Sequence, residues 1–385
     1  MEGAEAVSGR EALILDGSEL VESPGALPVA DLHCDTALEL QGGADIAGHP
    51  EGHVDIPRMR EGGVALQVFA AFISSALPPD RPFAEAMALL DLLDGACGGH
   101  PDALVRARTV DDVERAVRGG KVAAVTAIEN GRAIEGDLGK LEVLAGRGIR
   151  YMTLTHARHL PWAASSGEAG DGPGGLTAFG REVVKAMNRL GVIVDVSHVH
   201  ETTFWDVVRV AKRPFIASHS CTAVLCPMAR NLTDDQIRAV ADSGGVVGIN
   251  FFPAFLDPGY LQKRGASIQA LFGEMERIER ETLGDPIHRN AEMRRLADEA
   301  RTAMGPPEAG IDTLCRHIEH VAEIAGEDAV AFGSDFDGVT DLPHGMTGCE
   351  SFPAILARLR TRGWRKESLH KLAWSNFMRV MKATE

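Results

Sequence analysis

Residues 177–198 read TAFGREVVKAMNRLGVIVDVSH. Thr177 begins a helix-period segment with Phe179, Val183, Val184, Met187 and Leu190 on one stripe, and Gly191 stops it. The β-branched run that follows, 192–198, ends on Asp195-Val-Ser-His198. A helix handing over to a strand in this way belongs to a βα alternation, and the alternation runs along the chain. Runs with strand character occupy residues 29–35, 64–72, 122–129, 150–156, 192–198, 214–219, 245–251 and 329–335, eight in all. Eight strands with intervening helices fit an α/β fold of the (β/α)8 TIM-type barrel better than two separate domains. A doubly wound open sheet is the runner-up, and the missing GxGxxG after an early strand weakens its dinucleotide-binding version.

The bulk numbers agree with one large domain, residues 1–385, with its core at about 29–380. Hydrophobic residues make up 45% and charged residues 24%, the mix of a folded chain that can bury a large core. With 39 basic and 55 acidic residues the formal charge is −16, which argues against a nucleic-acid binder or an anionic-membrane protein. The cysteines, at 34, 97, 221, 226, 315 and 349, include no CxxC pair and read as free thiols of a reducing cytoplasm. The start, MEGAEAVSGREALILDGSEL, has no basic region and apolar run of a secretory signal. No stretch approaches the roughly 18 apolar residues of a membrane helix, so a cytoplasmic protein is expected.

Further helix signals are local. Thr233-Asp-Asp-Gln236 is a capping box with acids in the first turn, and Leu314, Ile318, Val321 and Ile324 mark an amphipathic helix before the last strand. Two segments break the rhythm. Residues 163–175 are Gly- and Ser-rich and read as a mobile loop after strand four. Residues 253–310 form a long helical insertion between strands seven and eight. Lying after a strand, the insertion belongs at the barrel's active face, where it either roofs the site or serves as a surface elaboration or subunit contact.

The strand ends are rich in ligand-type side chains. In a parallel barrel the carboxyl ends of all strands converge on one mouth. Strand one ends Asp31-Leu-His33-Cys-Asp35, with His33 and Asp35 two apart and so on one side. Strand three ends in Glu129, strand five in His198, strand six in His219 and strand eight in Asp335. Any one of these alone is weak; the joint pattern points to a metal centre. Imidazole nitrogen and carboxylate oxygen suit zinc and other borderline divalent ions. Two such ions need a shared group, and Glu129 has two oxygens to offer. Solvent held between two cations becomes hydroxide-like near neutral pH, ready to attack a carbonyl.

With these residues in place the sequence resembles the renal (membrane) dipeptidase family of the amidohydrolase superfamily. The resemblance runs from about 29 to 380 and rests on DLHCDT, HVDIPRMREGGVALQVFA, TAIENG, RYMTLTH, GLTAFGREVVKAMNRLGVIVDVSHV, PFIASHS, ARNLTDDQ, GINFFPAFL and GSDFDGV, in that order. It implies a barrel with two Zn2+ per chain that hydrolyses dipeptides, often with a D-residue at the carboxyl end; some members also open β-lactams. Carried over residue by residue, the implied metal ligands are His33 and Asp35 of DLHCDT, Glu129 of TAIEN as the bridge, His198 of DVSHV and His219 of ASHS. His156 of LTH matches the histidine that contacts the scissile carbonyl, Arg230 of ARN the arginine that holds the substrate carboxylate, and Asp335 of GSDFDG the proton-transferring aspartate.

The chain also departs from the family pattern. Many members read HxxxN after strand four where this chain has His156-Ala-Arg-His159, and Asn130 follows Glu129 where a glycine is frequent. Both changes sit beside the substrate space. His159 reads either as an additional polar contact or as a loop residue facing solvent. His53 and Asp55 read as loop stabilisers, Asp337 as shaping a turn, Trp162 as packing or pocket wall, and Cys34 as buried; His317 and His320 receive no function. The expected partner is a small-molecule dipeptide, with no nucleic acid and no membrane, and a homodimer is allowed for. The alternatives are another amidohydrolase acting on N-acyl amino acids or β-lactams, or a catalytically silent metal-bound binding protein. The acid at Asp335 argues against the last, because holding metal alone would not require it.

Overall fold

The computed structural model describes residues 27–385 apart from Asp171; the amino-terminal stretch read for a signal lies outside these residues. Nine parallel strands appear in chain order: β1 Val29–Cys34, β2 Val64–Phe72, β3 Leu104–Arg106, β4 Val122–Glu129, β5 Ile149–Thr153, β6 Ile193–Asp195, β7 Phe215–Ile216, β8 Val247–Ile249 and β9 Val330–Phe332. Their order around the sheet is β7-β6-β5-β4-β2-β1-β9-β8, and a parallel bridge between Ala217 and Val247 joins the two ends. Eight of the nine form the expected (β/α)8 barrel. The ninth, β3, pairs only with the first half of β4; three residues give no period to read.

One face of every barrel strand, with Leu32, Val68, Val125, Tyr151, Ile193 and Ala331 among the contributors, packs in a single buried cluster with Phe377 and Val380 of the last helix. This fills the barrel with side chains and leaves chemistry to the rim. Sequence signals hold in the helices around it. Thr177 caps the Ala178–Leu190 helix and Gly191 ends it at φ 71°. Thr233 and Gln236 make the reciprocal capping box of the Asp234–Asp242 helix. Val183, Val184 and Met187 are buried, but Leu190, expected on the same stripe, is 37% exposed at the helix end.

The later strands are much shorter than the apolar runs suggest. The runs 192–198, 214–219, 245–251 and 329–335 contribute only two or three ladder residues each. The cause is competition for backbone donors. The N–H groups of Ser197 and Ser218 go to the Asp195 carboxylate, and that of Ser334 goes to Asp31, instead of to a neighbouring strand. The chain therefore leaves the sheet just before each polar residue of interest, and His198 (φ 66°) and Asp335 (φ 65°) sit in the left-handed region.

The insertion is helical, with Pro253–Leu256, Pro258–Glu281 and Pro286–Met304 preceding the Ile311–Ala325 helix. It lies over the mouth. Arg294 pairs with Glu39 and Glu51, Arg289 donates to Gln41, Asn290 donates to the Leu38 carbonyl, and Ser74 donates to Glu279. No helix among the described residues is long and apolar enough to cross a membrane.

Barrel closure makes a test of the fold. A Cβ on Gly333 would stand 1.9 Å from the Ser218 carbonyl oxygen, and one on Gly248 would stand 2.1 Å from it, whereas a Cβ on Gly273 in the exposed insertion meets nothing within 4 Å. Gly333→Ala is expected to lower stability by at least about 1–3 kcal/mol, the range for forced overpacking. Gly273→Ala is expected to raise it by roughly 0.5–1 kcal/mol through helix propensity. Denaturant midpoints moving in opposite directions check both.

Candidate metal centre and active site

Glu129 ends β4, the longest strand whose residues are all buried, and its carboxylate projects into a cluster of imidazoles. Its Oε1 lies 3.1 Å from His198 Nε2, 3.4 Å from His219 Nε2 and 3.9 Å from His156 Nε2. Its Oε2 lies 3.4 Å from His33 Nε2, which in turn is 3.6 Å from Asp35 Oδ2 and 3.8 Å from Asp335 Oδ1. Three overlapping groups each bring their donor atoms within 4.8 Å of one another: His33, Glu129 and His219; Glu129, His156 and His198; and His33, Asp35 and Asp335. Seven of the eight residues singled out from sequence thus meet in one place.

The eighth, Arg230, is buried alongside. It donates to Ser220 Oγ and to the His219 carbonyl, both at 2.7 Å, and its Nε has no hydrogen-bond partner. The sequence leaves open a pairing with Asp234 or Asp235; Asp234 instead contacts His320, and Asp235 contacts Arg238.

The donor set fits divalent cations. Metal ligation needs imidazoles with a free lone pair and ionised carboxylates. Burial, then Arg230 and His156, hold His198 well below the usual histidine range; burial, then His33 and Arg230, do the same to His219. Burial works against ionised Glu129, but the imidazoles of His33, His156, His198 and His219 around it carry it well below the usual carboxylate range. Asp35 goes the other way: burial and repulsion from Glu129 push it up to about 8. Crowded acids of this kind are relieved by a cation. Of the buried side-chain atoms that lack a hydrogen-bond partner, two belong to this donor set, His33 Nε2 and Asp35 Oδ1.

Tyr151 was not legible as a site residue, yet it fixes the state of His33. It is fully buried, and its hydroxyl donates to the Leu32 carbonyl at 2.9 Å. With its one proton committed, the Tyr151 oxygen at 2.6 Å from His33 Nδ1 can only accept. Nδ1 therefore carries a hydrogen in either state of the ring; against burial, Tyr151 and Glu129 hold His33 well above the usual histidine range, so a cation would take the place of the Nε2 proton. A tyrosine inside RYMTLTH carries no sequence signal for this, because the contact spans 118 residues. Asn250 was missed likewise: its amide donates to Asp335 Oδ2 at 2.8 Å and turns the other carboxylate oxygen toward His33.

The remaining readings sort cleanly. His159 is half-buried and is not among the residues lining the cavity. Its Nδ1 accepts from the Ser165 N–H, and its own N–H bonds Glu168, so it buttresses the loop. That loop, expected to be mobile, clamps His198: the carbonyl of His198 accepts from Ser166 N and Oγ and from Thr155 Oγ1. Asn130 adopts φ 86°, the backbone region that favours glycine, while its amide bonds the Ile73 carbonyl and its oxygen caps the next turn. His53 and Asp337 bond each other's backbone N–H, Asp55 caps a helix, and His317 is buried against Leu256 and Thr222. Trp162 packs edge-on to Phe179, and all six cysteines are unpaired and buried.

A cavity of about 610 Å3 opens onto the cluster. Asp35, Glu129, His156, His198 and Asp335 form its floor, and Met275, Glu279, Arg289, Met293 and Arg294 of the insertion form its roof. Between the two readings of the insertion, the structure gives the roof.

Over residues 23–385 the chain matches the family model for membrane dipeptidase (peptidase family M19). Among solved structures, the dipeptidase AC, a family M19 metallopeptidase, is 27% identical, with a TM-score of 0.75 over 93% of this chain and 98% of that one. A metallopeptidase from Rhodobacter sphaeroides, liganded with a phosphinate mimic of the dipeptide L-Ala-D-Ala, is also 27% identical, with a TM-score of 0.75 over 93% of this chain and 99% of that one. The probable dipeptidase PvdM from Pseudomonas aeruginosa, 24% identical with a TM-score of 0.78 over 93% and 95% of the two chains, shares the fold. With a family match over nearly its whole length and a cluster of metal-ligating side chains at the barrel mouth, this chain belongs to the membrane dipeptidase family and is a metal-dependent dipeptidase.

Proposed function

We propose that the chain hydrolyses dipeptides, including those with a carboxyl-terminal D-residue, at a site for two zinc ions bridged by Glu129. The observation that carries this reading is the placement of the Glu129 carboxylate, with one oxygen toward His198 and His219 and the other toward His33. His33 and Asp35 would hold one ion and His198 and His219 the other, with Glu129 shared. When bound, the ions polarise a carbonyl oxygen and make solvent held between them a nucleophile near neutral pH. The D-residue preference is supported by the dipeptide mimic bound to the Rhodobacter sphaeroides neighbour. A cytoplasmic location is supported by the six unpaired cysteines.

The chain's own residues divide the remaining work. His156, on the cavity floor with its ring edge-on to Phe72, donates to the scissile carbonyl oxygen as negative charge develops there. Arg230, its guanidinium oriented by Ser220 and the His219 carbonyl and its Nε–H left without a partner, holds the substrate carboxylate. Asp335 accepts the proton released by the attacking solvent and delivers it to the departing nitrogen, which cannot leave as an unprotonated amide anion. Asn250 keeps Asp335 Oδ2 occupied so that Oδ1 faces the cluster. Turnover of L,D-dipeptides by the zinc-loaded protein, screened against L,L-dipeptides, N-acyl amino acids and a β-lactam, tests the substrate class.

Elemental analysis of fully active protein is expected to give two ions per chain, and Glu129→Ala is expected to lose both metal and rate; saturation at one ion would overturn the binuclear assignment. Arg230→Met is expected to weaken dipeptides far more than their carboxyl-terminal amides, and equal losses would make Arg230 a structural residue. Asp335→Asn nearly preserves shape and can still accept from Asn250. Two retained ions with kcat lower by at least roughly 10²-fold are expected, the lower end for loss of a general acid–base. Near-normal turnover at full metal occupancy would remove the proton-transfer role.

A further inference from the structure

Behind the cavity floor lies a fully buried chain of polar groups that the hydrolytic mechanism does not use. Asp195, the last residue of β6, is 0% exposed, as are Thr153, Ser218 and His219. Its Oδ1 accepts from the N–H groups of Ser197 at 3.0 Å and Ser218 at 2.8 Å. Its Oδ2 accepts from the hydroxyls of Thr153 at 2.5 Å and Ser218 at 2.6 Å. The Ser218 oxygen also lies 2.7 Å from His219 Nδ1.

We propose that Asp195 is a positioning residue that, through the Ser218 hydroxyl, presents His219 to the metal site in a single tautomer. The proposal rests on reading His219 as a zinc ligand. Ser218 has one hydroxyl proton, and a carboxylate oxygen 2.6 Å away claims it; aimed elsewhere, the hydroxyl would leave two lone-pair-bearing oxygens in unrelieved contact. Toward Nδ1 the Ser218 oxygen is then an acceptor only. The Nδ1 atom must carry the ring proton, and Nε2, 2.8 Å from His198 Nε2 and 3.4 Å from Glu129 Oε1, is left as a lone pair that accepts from the His198 Nε2–H until a cation takes its place. The same carboxylate holds the Ser197 N–H one residue before His198, so one buried aspartate orders the approach to both histidines. His33 has its Nδ1 hydrogen held by Tyr151, by a different chemical route.

The fold contains its own control. Asp31 grips Ser334 as Asp195 grips Ser218, with the Ser334 N–H on Oδ1 at 2.9 Å and its hydroxyl on Oδ2 at 2.6 Å. Ser334 contacts no imidazole nitrogen; its oxygen instead lies 3.1 Å from the His33 carbonyl and 3.2 Å from the Phe336 N–H. Removing either hydroxyl therefore weakens an equivalent strand clamp, but only one removal leaves a histidine ring without its acceptor.

The experiment is competition for zinc between the zinc-loaded full-length protein and a chromophoric chelator, for wild type, Ser218→Ala and Ser334→Ala. Ser218→Ala is expected to hold one of its zinc ions about 10–100-fold more weakly, the usual effect of losing such a partner. Ser334→Ala is expected to stay close to wild type. Wild-type zinc affinity in Ser218→Ala, or equal losses in the two variants, would overturn the proposal. Nitrogen chemical shifts of the 15N-histidine-labelled wild-type chain before zinc addition give a second reading that needs no variant to fold. A proton on His219 Nδ1 is expected, and one on Nε2 would overturn the relay. Wild-type protein that takes up no zinc would instead bring down the metal-site reading, and this proposal with it.

Discussion

A carboxylate with only 2% of its surface exposed governs the rest of this structure. An ionised Glu129 in the barrel would be strongly unfavourable alone, because a desolvated charge must be paired or must shift its protonation. Here it is ringed by imidazoles arriving at the ends of β1, β5, β6 and β7. None of those residues can come from a neighbouring position in sequence, since each faces the mouth from its own strand. Closing the barrel is what brings them together, so the fold and the electrostatic balance of Glu129 are one requirement. Asp35 shows the balance from the other side. Burial, and then repulsion from Glu129, push it up to about 8.

Meeting that requirement needs more accuracy than a sheet edge provides. A strand end frays, and a side chain on it can lean in several directions. The structure ends the later ladders early and ties their continuations to buried aspartates, so His219 and Asp335 emerge one residue beyond a serine held at both its N–H and its hydroxyl. His198 is held at the other end, through its carbonyl, by the Ser165–Ser166 loop. Positive φ at His198 and Asp335 is the backbone cost of turning these side chains inward, of order 1–3 kcal/mol each at most. Shortened strands and left-handed residues are therefore parts of one device.

This explains what could be read from the sequence and what could not. Apolar runs separated by helix-period segments gave all eight barrel strands in order, because burial on both faces writes a continuous hydrophobic signal. The ligand-type residues were legible because each closes such a run. Strand ends were overestimated because Val196, Ala217 and Phe251 are as apolar as the ladder residues before them; the capture of a serine N–H by a remote aspartate has no local trace. Tyr151, Asn250 and the Ser218 hydroxyl were invisible for the same reason. Their partners lie 118, 85 and 23 residues away, at distances only the closed barrel defines.

The two departures from the family pattern take on a different meaning once their contacts are known. Asn130 and His159 both suggested altered contacts to the substrate, since both flank residues on the cavity floor. In the structure both turn away: Asn130 bonds the Ile73 carbonyl and the turn after β4, and His159 bonds Ser165 in the loop that holds His198. Their contacts bear on the backbone that carries Glu129 and on the loop that holds His198. The wall opposite the floor comes from the insertion, with Glu279, Arg289 and Met293 lining the cavity from helices anchored to the barrel by polar contacts. Arg289 donates to the neutral amide oxygens of Gln41 and Asn290, and Glu279 accepts from Ser74, so charges of both signs stand in the roof without being paired to each other. The floor and the roof are thus built differently: the floor gathers its ligand-type side chains by barrel closure, and the roof is held over it by polar contacts of its own.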